Sequence, residues 1–302
     1  MHSIVIHGGA GPIPDDVPES RRRAFEASLG KAVDIGFGVL DGGGSSLDAV
    51  TAAVRILEDD PLFNAGHGAA LTREGAAELD ASIMDGRDLK AGAVAGVRHV
   101  KNPIDLARAV MEKSRHVLLI GPGAEEFALE EGFSLVSNLY FRTEARRLEL
   151  ASAQQGRHMS DIIPETKGTV GAVAFDRQGH LAAATSTGGM TNKRPGRVGD
   201  SPIIGAGTYA KNGVCGVSAT GHGEYFIRSV AAHHVAVSVE YRGMTLEQAA
   251  RDLIHGKLAK LGGDGGVIAI DGQGRIVMEF NTSGMLRAAR DSSGLRMVAI
   301  AR

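Results

Sequence analysis

The chain of 302 residues has no tryptophan, one cysteine (Cys215), only nine prolines and no surplus of charge, its formal net charge being −2. A single cysteine permits no intrachain disulfide framework and no CxxC site, so a reducing compartment is expected, the cytoplasm. The balanced charge supplies no basic field for nucleic acid or for a membrane surface. No apolar run reaches the ~18 residues of a membrane span. Met1-His2-Ser3-Ile4-Val5-Ile6-His7 lacks the basic n-region and long apolar stretch of a secretory signal. Without secretion the sequon Asn281-Thr282-Ser283 has no meaning. What the chain has in surplus is glycine: 42 residues, about twice the usual ~7% share. With no triplet period and little proline, collagen and low-complexity chains are excluded. A chain of this size and 43% hydrophobic content buries a sizeable core unaided. The glycines are therefore positional, placed where the backbone turns tightly or meets a ligand.

Periodicity suggests an α/β organisation in one domain, 1–302. A short strand, Ile4-Val5-Ile6, runs into the glycine turn His7-Gly8-Gly9-Ala10-Gly11-Pro12. Phe25, Leu29, Val33 and Phe37 recur every four positions in a helix over 19–40. Ser45 or Ser46 caps the next helix, which turns Leu47, Val50, Val54 and Leu57 inward. Extended segments follow at 78–84 and 91–100, helices near 104–114, 123–131 and 143–155, and a buried strand at Val117-Leu118-Leu119-Ile120. Two strand–turn–strand units share a D-x-Q-G turn, at Asp176-Arg177-Gln178-Gly179 and Asp271-Gly272-Gln273-Gly274, the mark of antiparallel sheet. Helices at about 224–241 and 246–261 lie between them, so sheet layers with helices outside are expected. Residues of about 154–168 are polar and aperiodic, then stop abruptly at Gly168-Thr169, where a core strand begins.

Nucleotide motifs fail. No GxGxxG is completed, and neither Gly30-Lys31 nor Gly256-Lys257 is followed by Ser or Thr. There is no GxSxG elbow and no HExxH helix. Adjacent His233 and His234 diverge by about 100° on a helix and cannot share one ion. They read as packing histidines, so no zinc site is supported.

Thr169 is different. Inside a chain it has no adjacent base. Cutting the Gly168–Thr169 bond would give it an α-amine with a reference pKa of ~7.7–8.0, a general base on the nucleophile's own residue. Glycine at 168 lets the scissile carbonyl adopt a conformation that a Cβ would forbid. Thr187 ends the partner strand and can bring a second hydroxyl alongside. In Gly196-Arg197-Val198-Gly199-Asp200-Ser201-Pro202, Arg197 can grip a carboxylate and Asp200 an ammonium, together a receptor for an α-amino acid head group. The same two residues could instead form a mutual surface ion pair. Thr220-Gly221-His222-Gly223-Glu224 opens a helix whose free N–H groups, with the Thr220 hydroxyl, could form an oxyanion hole.

The run Gly168-Thr169-Val170-Gly171-Ala172-Val173-Ala174, with Thr185-Ser186-Thr187-Gly188-Gly189-Met190, Gly196 to Pro202 and Thr220-Gly221, resembles the plant-type asparaginases, also called isoaspartyl peptidases. His7-Gly8-Gly9-Ala10-Gly11 and Asn64-Ala65-Gly66-His67-Gly68 match the family's first part, so the resemblance covers nearly the whole chain. It implies the N-terminal-nucleophile hydrolase fold, a four-layer αββα sandwich. It also implies self-cleavage into an α subunit, 1–168, and a β subunit, 169–302, assembled as an (αβ)2 heterotetramer. Thr169 would be the nucleophile, Thr187 its supporting hydroxyl, Arg197 and Asp200 the substrate clamp, and Thr220 with Gly221 the oxyanion hole. Asn64 would help position or stabilise the nucleophile region. No cofactor is implied beyond a structural sodium ion, held by main-chain carbonyls of Leu57, Glu58, Asp60, Phe63, Ala65 and His67. The implied substrates are L-asparagine and β-aspartyl dipeptides, which share a free α-amine, a free α-carboxylate and a β-amide. Two other readings stand beside this: a glycosylasparaginase-like hydrolase, disfavoured by the lone cysteine, and an uncleaved α/β protein that binds an amino acid. The family's threonine endopeptidases need long additions that this chain does not have.

Overall fold

The computed structural model describes residues 1–12, 17–156 and 168–301. Among them, eight strands form one sheet in the order β12 (Arg296–Ala301), β11 (Gly284–Asp291), β1 (Ser3–Gly11), β5 (Val170–Phe175), β6 (Leu181–Thr187), β2 (Leu79–Asp85), β3 (Ala91–Val97), β4 (Leu118–Ile120). Four form a second: β10 (Ile276–Phe280), β9 (Gly265–Asp271), β8 (Cys215–Gly221), β7 (Thr208–Lys211). The hydrophobic side chains divide into three layers. α1 (Glu19–Asp41), α2 (Ser46–Asp59) and α3 (Pro103–Lys113) lay Leu29, Val33, Val50, Val54 and Leu106 on the outer face of the large sheet, against Ile4, Ile6, Ala172 and Ala184. α7 (Ala231–Arg242) and α8 (Leu246–Arg251) cover the small sheet, Val235 and Ala249 meeting Val217 and Val267. Between the sheets, Val5, Val173 and Leu181 face Ile268 and Ile270. Ile4 and Val5 are thus buried on opposite faces of one strand, because both faces of the sheet are covered. The result is the αββα sandwich that the resemblance implies.

Local chemistry accounts for the element ends. Ser45, not Ser46, caps α2 by accepting the Asp48 N–H. Thr245 and Gln248 form a reciprocal capping box on α8. In both D-x-Q-G turns one aspartate oxygen accepts two N–H groups: Asp176 from Gln178 and His180, Asp271 from Gln273 and Arg275. Each turn then needs left-handed backbone, and Gly179 and Gly274 both sit at φ +84°. The two hairpins fall in different sheets, β5–β6 in the large one and β9–β10 in the small one.

Three expectations are corrected, and a fourth, the helix over 246–261, stands with a change of pitch. His7 to Gly11 is not a turn: β1 continues to Gly11, and its glycines form a bulge between His7 and Gly9 against β11. The run 117–120 is not buried. β4 is the sheet's parallel edge strand, and Val117, Leu118 and Ile120 are exposed; four apolar residues in a row do not reveal whether a strand lies inside or at an edge. The helix expected over 224–241 is two, α6 (Gly223–Ser229) and α7, broken at Val230 with φ +48°. The helix over 246–261 passes through a π segment, Asp252–Leu258, before its last turn, Ala259–Leu261. Of the aperiodic linker near 154–168, residues 157–167 lie outside the described residues; Gln154 ends α5 (Glu144–Gln154).

Candidate active site

β5 and β6 run antiparallel with Val170 opposite Ser186, which puts Thr169 beside Thr187. The Thr169 hydroxyl donates to Thr187 Oγ1 at 3.1 Å, and Thr187 Oγ1 also accepts the Gly189 N–H at 3.0 Å. Both threonines are buried, on the wall of a cavity of about 330 Å³ shared with Asn64, Arg197, Asp200 and Gly221. Gly168 enters this site over the β1 bulge. Gly9, at φ +116°, touches the Gly168 main chain so closely that a Cβ would overlap the Gly168 Cα, so the bond before Thr169 is packed backbone against backbone. On the far side, His7 Nδ1 lies 2.9 Å from the Thr169 carbonyl. A carbonyl only accepts, so Nδ1 carries the proton. Burial holds the imidazole neutral, its pKa lowered to about 3.

The clamp residues lie close together but do not pair with each other. Arg197 donates Nε to Glu224 Oε1 at 3.0 Å and Nη2 to Glu224 Oε2 at 2.9 Å. That uses two of the five guanidinium N–H groups and leaves the Nη1 edge for another carboxylate. The arginine in turn holds the Glu224 carboxyl below its ordinary pKa. Asp200 is almost wholly buried, and among the described residues one of its carboxylate oxygens has no hydrogen-bond partner. Burial pushes its pKa up to about 7. An acid with an unpartnered oxygen thus faces the same cavity as a fork-shaped cation, a pairing with the chemistry to take an ammonium and a carboxylate side by side.

Asn64 acts on the loop after β6. Its Nδ2 donates to the Gly189 carbonyl at 2.7 Å, its Oδ1 accepts the Ala70 N–H at 2.7 Å, and its own carbonyl accepts the Gly188 N–H at 3.0 Å. It therefore braces Thr187's neighbours, not Thr169 directly. Thr220 and Gly221 do not open a helix. They end β8, and α6 starts at Gly223. Gly221 lines the cavity at φ +150°. Thr220 sits behind it, its Oγ1 accepting the Ala10 N–H at 3.3 Å and its hydroxyl proton left to donate.

Other groups at the site escape a reading of the sequence. Lys193 is buried with Nζ on the Glu78 carbonyl at 2.8 Å, and burial lowers its pKa. Glu149, held by Arg146 and Thr191, brings α5 to the cavity rim. Only Glu224 carried a signal, as the acidic end of the Thr220–Glu224 block. The paired histidines are structural, His233 packing its ring on Tyr209 and His234 bonding Lys257. Among the described residues, no group of three or more His, Cys, Asp or Glu side chains is placed to hold a metal ion, and no helix is long and apolar enough to cross a membrane.

Known proteins resemble the chain over nearly its whole length. The model of a family described as asparaginase matches residues 1–300. An isoaspartyl peptidase of Salmonella typhimurium is 52% identical over 293 residues, covering 94% of each chain. The isoaspartyl peptidase of Escherichia coli is 50% identical, covering 94% of this chain and 91% of its own. A probable isoaspartyl peptidase/L-asparaginase of Arabidopsis thaliana is 41% identical over 99% of this chain and 98% of its own. A match from end to end, on a sandwich whose cavity joins a glycine-preceded threonine to an arginine and an unpaired acid, means that this chain belongs to the asparaginase family.

Proposed function

We propose that the chain cuts its own Gly168–Thr169 bond and then hydrolyses the β-amide of L-asparagine and the isopeptide bond of β-aspartyl dipeptides through an acyl-enzyme on Thr169. The observation that carries this reading is the Thr169–Thr187 hydroxyl pair, 3.1 Å apart, in one cavity with Arg197 and Asp200. In the intact chain the Thr169 nitrogen is an amide and has no base character. Attack of Thr169 Oγ1 on the Gly168 carbonyl forms an ester as the Gly168–Thr169 C–N bond breaks and frees the protonated α-amine; water then hydrolyses the ester to the Gly168 carboxylate and the Thr169 hydroxyl. The close Gly9–Gly168 packing supports the reading, since it restricts the scissile peptide to few conformations.

In the mature enzyme Asp200 receives the substrate ammonium, and the open edge of Arg197 receives the α-carboxylate. The β-amide then lies over Thr169. The α-amine takes the hydroxyl proton as Oγ1 attacks the β-carbonyl, and Thr187 keeps the hydroxyl oriented. The Thr220 hydroxyl and the Gly221 main chain stabilise the tetrahedral oxyanion. Collapse returns the proton to the leaving nitrogen and releases ammonia or an amino acid. Water then cleaves the β-aspartyl ester to L-aspartate. An ordinary α-peptide has no free α-carboxylate and would leave Arg197 half paired, so it is rejected.

A sodium ion held by main-chain carbonyls near 57–67 fits the loop. Gly66 closes on the Glu58 carbonyl and Gly68 on those of Pro61 and Phe63, where a Cβ would collide with these oxygens. The Asp60 and Ala65 carbonyls accept the Phe63 and Gly68 N–H groups, each keeping a second lone pair. Leu57 and His67 would complete the set, and the ion's part would be to stiffen the loop that carries Asn64. Family membership supports an (αβ)2 assembly, and the single cysteine supports a cytoplasmic location.

A denaturing gel and intact mass test the central reading. Wild-type protein resolves into two fragments meeting at Gly168/Thr169 and turns over both substrates, whereas Thr169→Ala does neither. Cleavage persisting in that variant would remove Thr169 from the mechanism, and a stable, uncut wild-type chain would favour an amino-acid-binding protein.

A further inference from the structure

Strand register sets a second row of residues one step inward from the active-site row. Thr187 pairs with Asp80; two residues along, His7 pairs with Gly171, Gly171 with Thr185, and Thr185 with Ser82. Facing them from the small sheet are Thr208 and Ser218, paired across β7 and β8. His7, Ser82, Thr185, Thr208 and Ser218 are all completely buried, in a layer that is otherwise packed with apolar side chains. They form one continuous hydrogen-bonded chain. His7 Nε2 meets Ser218 Oγ at 2.9 Å, Ser218 meets Thr185 at 2.8 Å, Thr208 meets Thr185 at 2.5 Å, and Ser82 meets Thr208 at 2.8 Å. Both ends rest on main-chain carbonyls beside the proposed chemistry. His7 Nδ1 is on the Thr169 carbonyl at 2.9 Å, and Ser82 Oγ is on the Ser201 carbonyl at 2.6 Å, next to Asp200. Gly171 is the gap through which the row passes, because a Cβ there would fall on Ser218 Oγ and His7 Nε2.

We propose that this row is a positioning element of the active site, a polar strut that holds the Thr169 main chain at a set distance from the Asp200–Ser201 loop. The proposal rests on the reading of Thr169 as nucleophile and Asp200 as the ammonium site. None of the five side chains touches substrate. Buried hydroxyls in an apolar layer stabilise less than a valine or leucine packing would, unless their bonds fix a geometry.

Proton accounting gives the row a direction. Nδ1–H of a neutral His7 is committed to Thr169, so Nε2 accepts from Ser218. Ser218 then accepts from Thr185, and Thr185 from Thr208. Ser82 can donate to Thr208 or to the Ser201 carbonyl but not to both. Thr185 Oγ1 also lies 3.3 Å from the Gly207 carbonyl, so four hydroxyl protons serve six contacts; the Thr185 proton goes to the nearer Ser218 at 2.8 Å, and the contest between two close acceptors falls at the Ser82 end. The strut is therefore two parts meeting at Ser82. Ser218 and His7 govern the nucleophile, and Ser82 governs the ammonium site.

The test is a split between kcat and KM for a β-aspartyl dipeptide, expressed per processed chain as read on a denaturing gel. Ser218→Ala is expected to lower kcat about tenfold or more with KM within about threefold. Ser82→Ala is expected to raise KM about threefold or more with kcat within about twofold. His7→Asn keeps an N–H where Nδ1 stood and should recover part of the kcat that His7→Leu loses. If Ser218→Ala stops processing altogether, its thermal midpoint is compared with that of Thr169→Ala, the uncut reference. Equal midpoints support the strut, and a fall of more than about 5 °C assigns Ser218 to general stability and overturns it. Unchanged kcat and KM in both serine variants, or equal losses in the two, also overturn it. Turnover by Thr169→Ala would instead sink the nucleophile reading, and the strut with it.

Discussion

With Asp200 as the proposed ammonium site, substrate binding should depend on pH in a way that can be worked out in advance. Its burial, with one oxygen unpartnered, raises its pKa from 3.8 to about 7. At pH 5 only about one free enzyme molecule in a hundred then carries the carboxylate that an ammonium needs, against nearly all at pH 9. Since the bound ammonium selects the ionised form, KM for asparagine should rise about tenfold for each pH unit below 7. The Thr169 α-amine, with a reference pKa of ~7.7–8.0, must also lose a proton. That second ionisation acts on the bound complex as well and so appears in kcat, and kcat/KM falls with a limiting slope of two at acid pH. The informative comparison is the deamino analogue of asparagine, which keeps the carboxylate and amide but has no ammonium. Its KM should stay flat or improve as the pH falls, because a neutral Asp200 meets its bare methylene more easily. Steady-state kinetics from pH 5 to 9 on both compounds measures this. Parallel KM profiles for the two, or a flat KM for asparagine, would refute the assignment of Asp200. The same burial acts on stability with the opposite benefit. A carboxyl whose pKa is raised by the fold contributes fully below about pH 4, and that contribution is lost as the pH rises through about 7, a difference of about 4 kcal/mol. Asp200→Asn should therefore raise the thermal midpoint at pH 8 by roughly 5 °C or more, and not at pH 4, while it abolishes the pH dependence of KM.

Glu224→Gln keeps the shape of the Arg197 partner but removes its charge, which frees the guanidinium to swing; KM should rise about tenfold with kcat little changed, and an equal loss in kcat would place Glu224 elsewhere in the mechanism. Gly9→Ala sets a methyl against Gly168 and should slow self-cleavage at least about tenfold in a gel time course, whereas wild-type cleavage would mean that the contact is not a restraint. Val230 is a β-branched residue at φ +48° between α6 and α7, half exposed; Val230→Gly should stabilise the protein by about 1 kcal/mol, seen as a rise of roughly 2 °C in thermal unfolding.

The parts of the fold that the sequence disclosed are those governed by neighbours along the chain. The four-residue recurrence of Phe25, Leu29, Val33 and Phe37 marks α1 because helical packing repeats at that interval. The D-x-Q-G turns are legible because one aspartate must satisfy two N–H groups within four residues. What failed depends on distant partners. Whether Val117 to Ile120 is interior is decided by β4's place at the edge of the sheet among the described residues, and no local pattern carries that. The run His7 to Gly11 reads as a turn from composition. It is held as a strand by β11, a segment more than 270 residues away.

The site divides along the same line. Thr169 and Thr187 could be paired from sequence because a hairpin of known turn fixes which residues face each other. Arg197 and Asp200 lie three residues apart in sequence and line one cavity, but their separate partners are not legible from that spacing. Arg197 is neutralised by Glu224, 27 positions on, and Asp200 keeps one carboxylate oxygen without a partner among the described residues, in a buried wall. That difference matters to the chemistry. An arginine and aspartate paired with each other would have to be parted before substrate could bind, at the cost of a buried ion pair. With Glu224 holding one edge of the guanidinium, the cation is fixed and the other edge stays open. With Asp200 solitary and raised to about 7, the anion forms as the ammonium arrives. On the proposed reading, each half of the clamp is thus prepared for its own end of the substrate, by groups that no spacing rule connects to it.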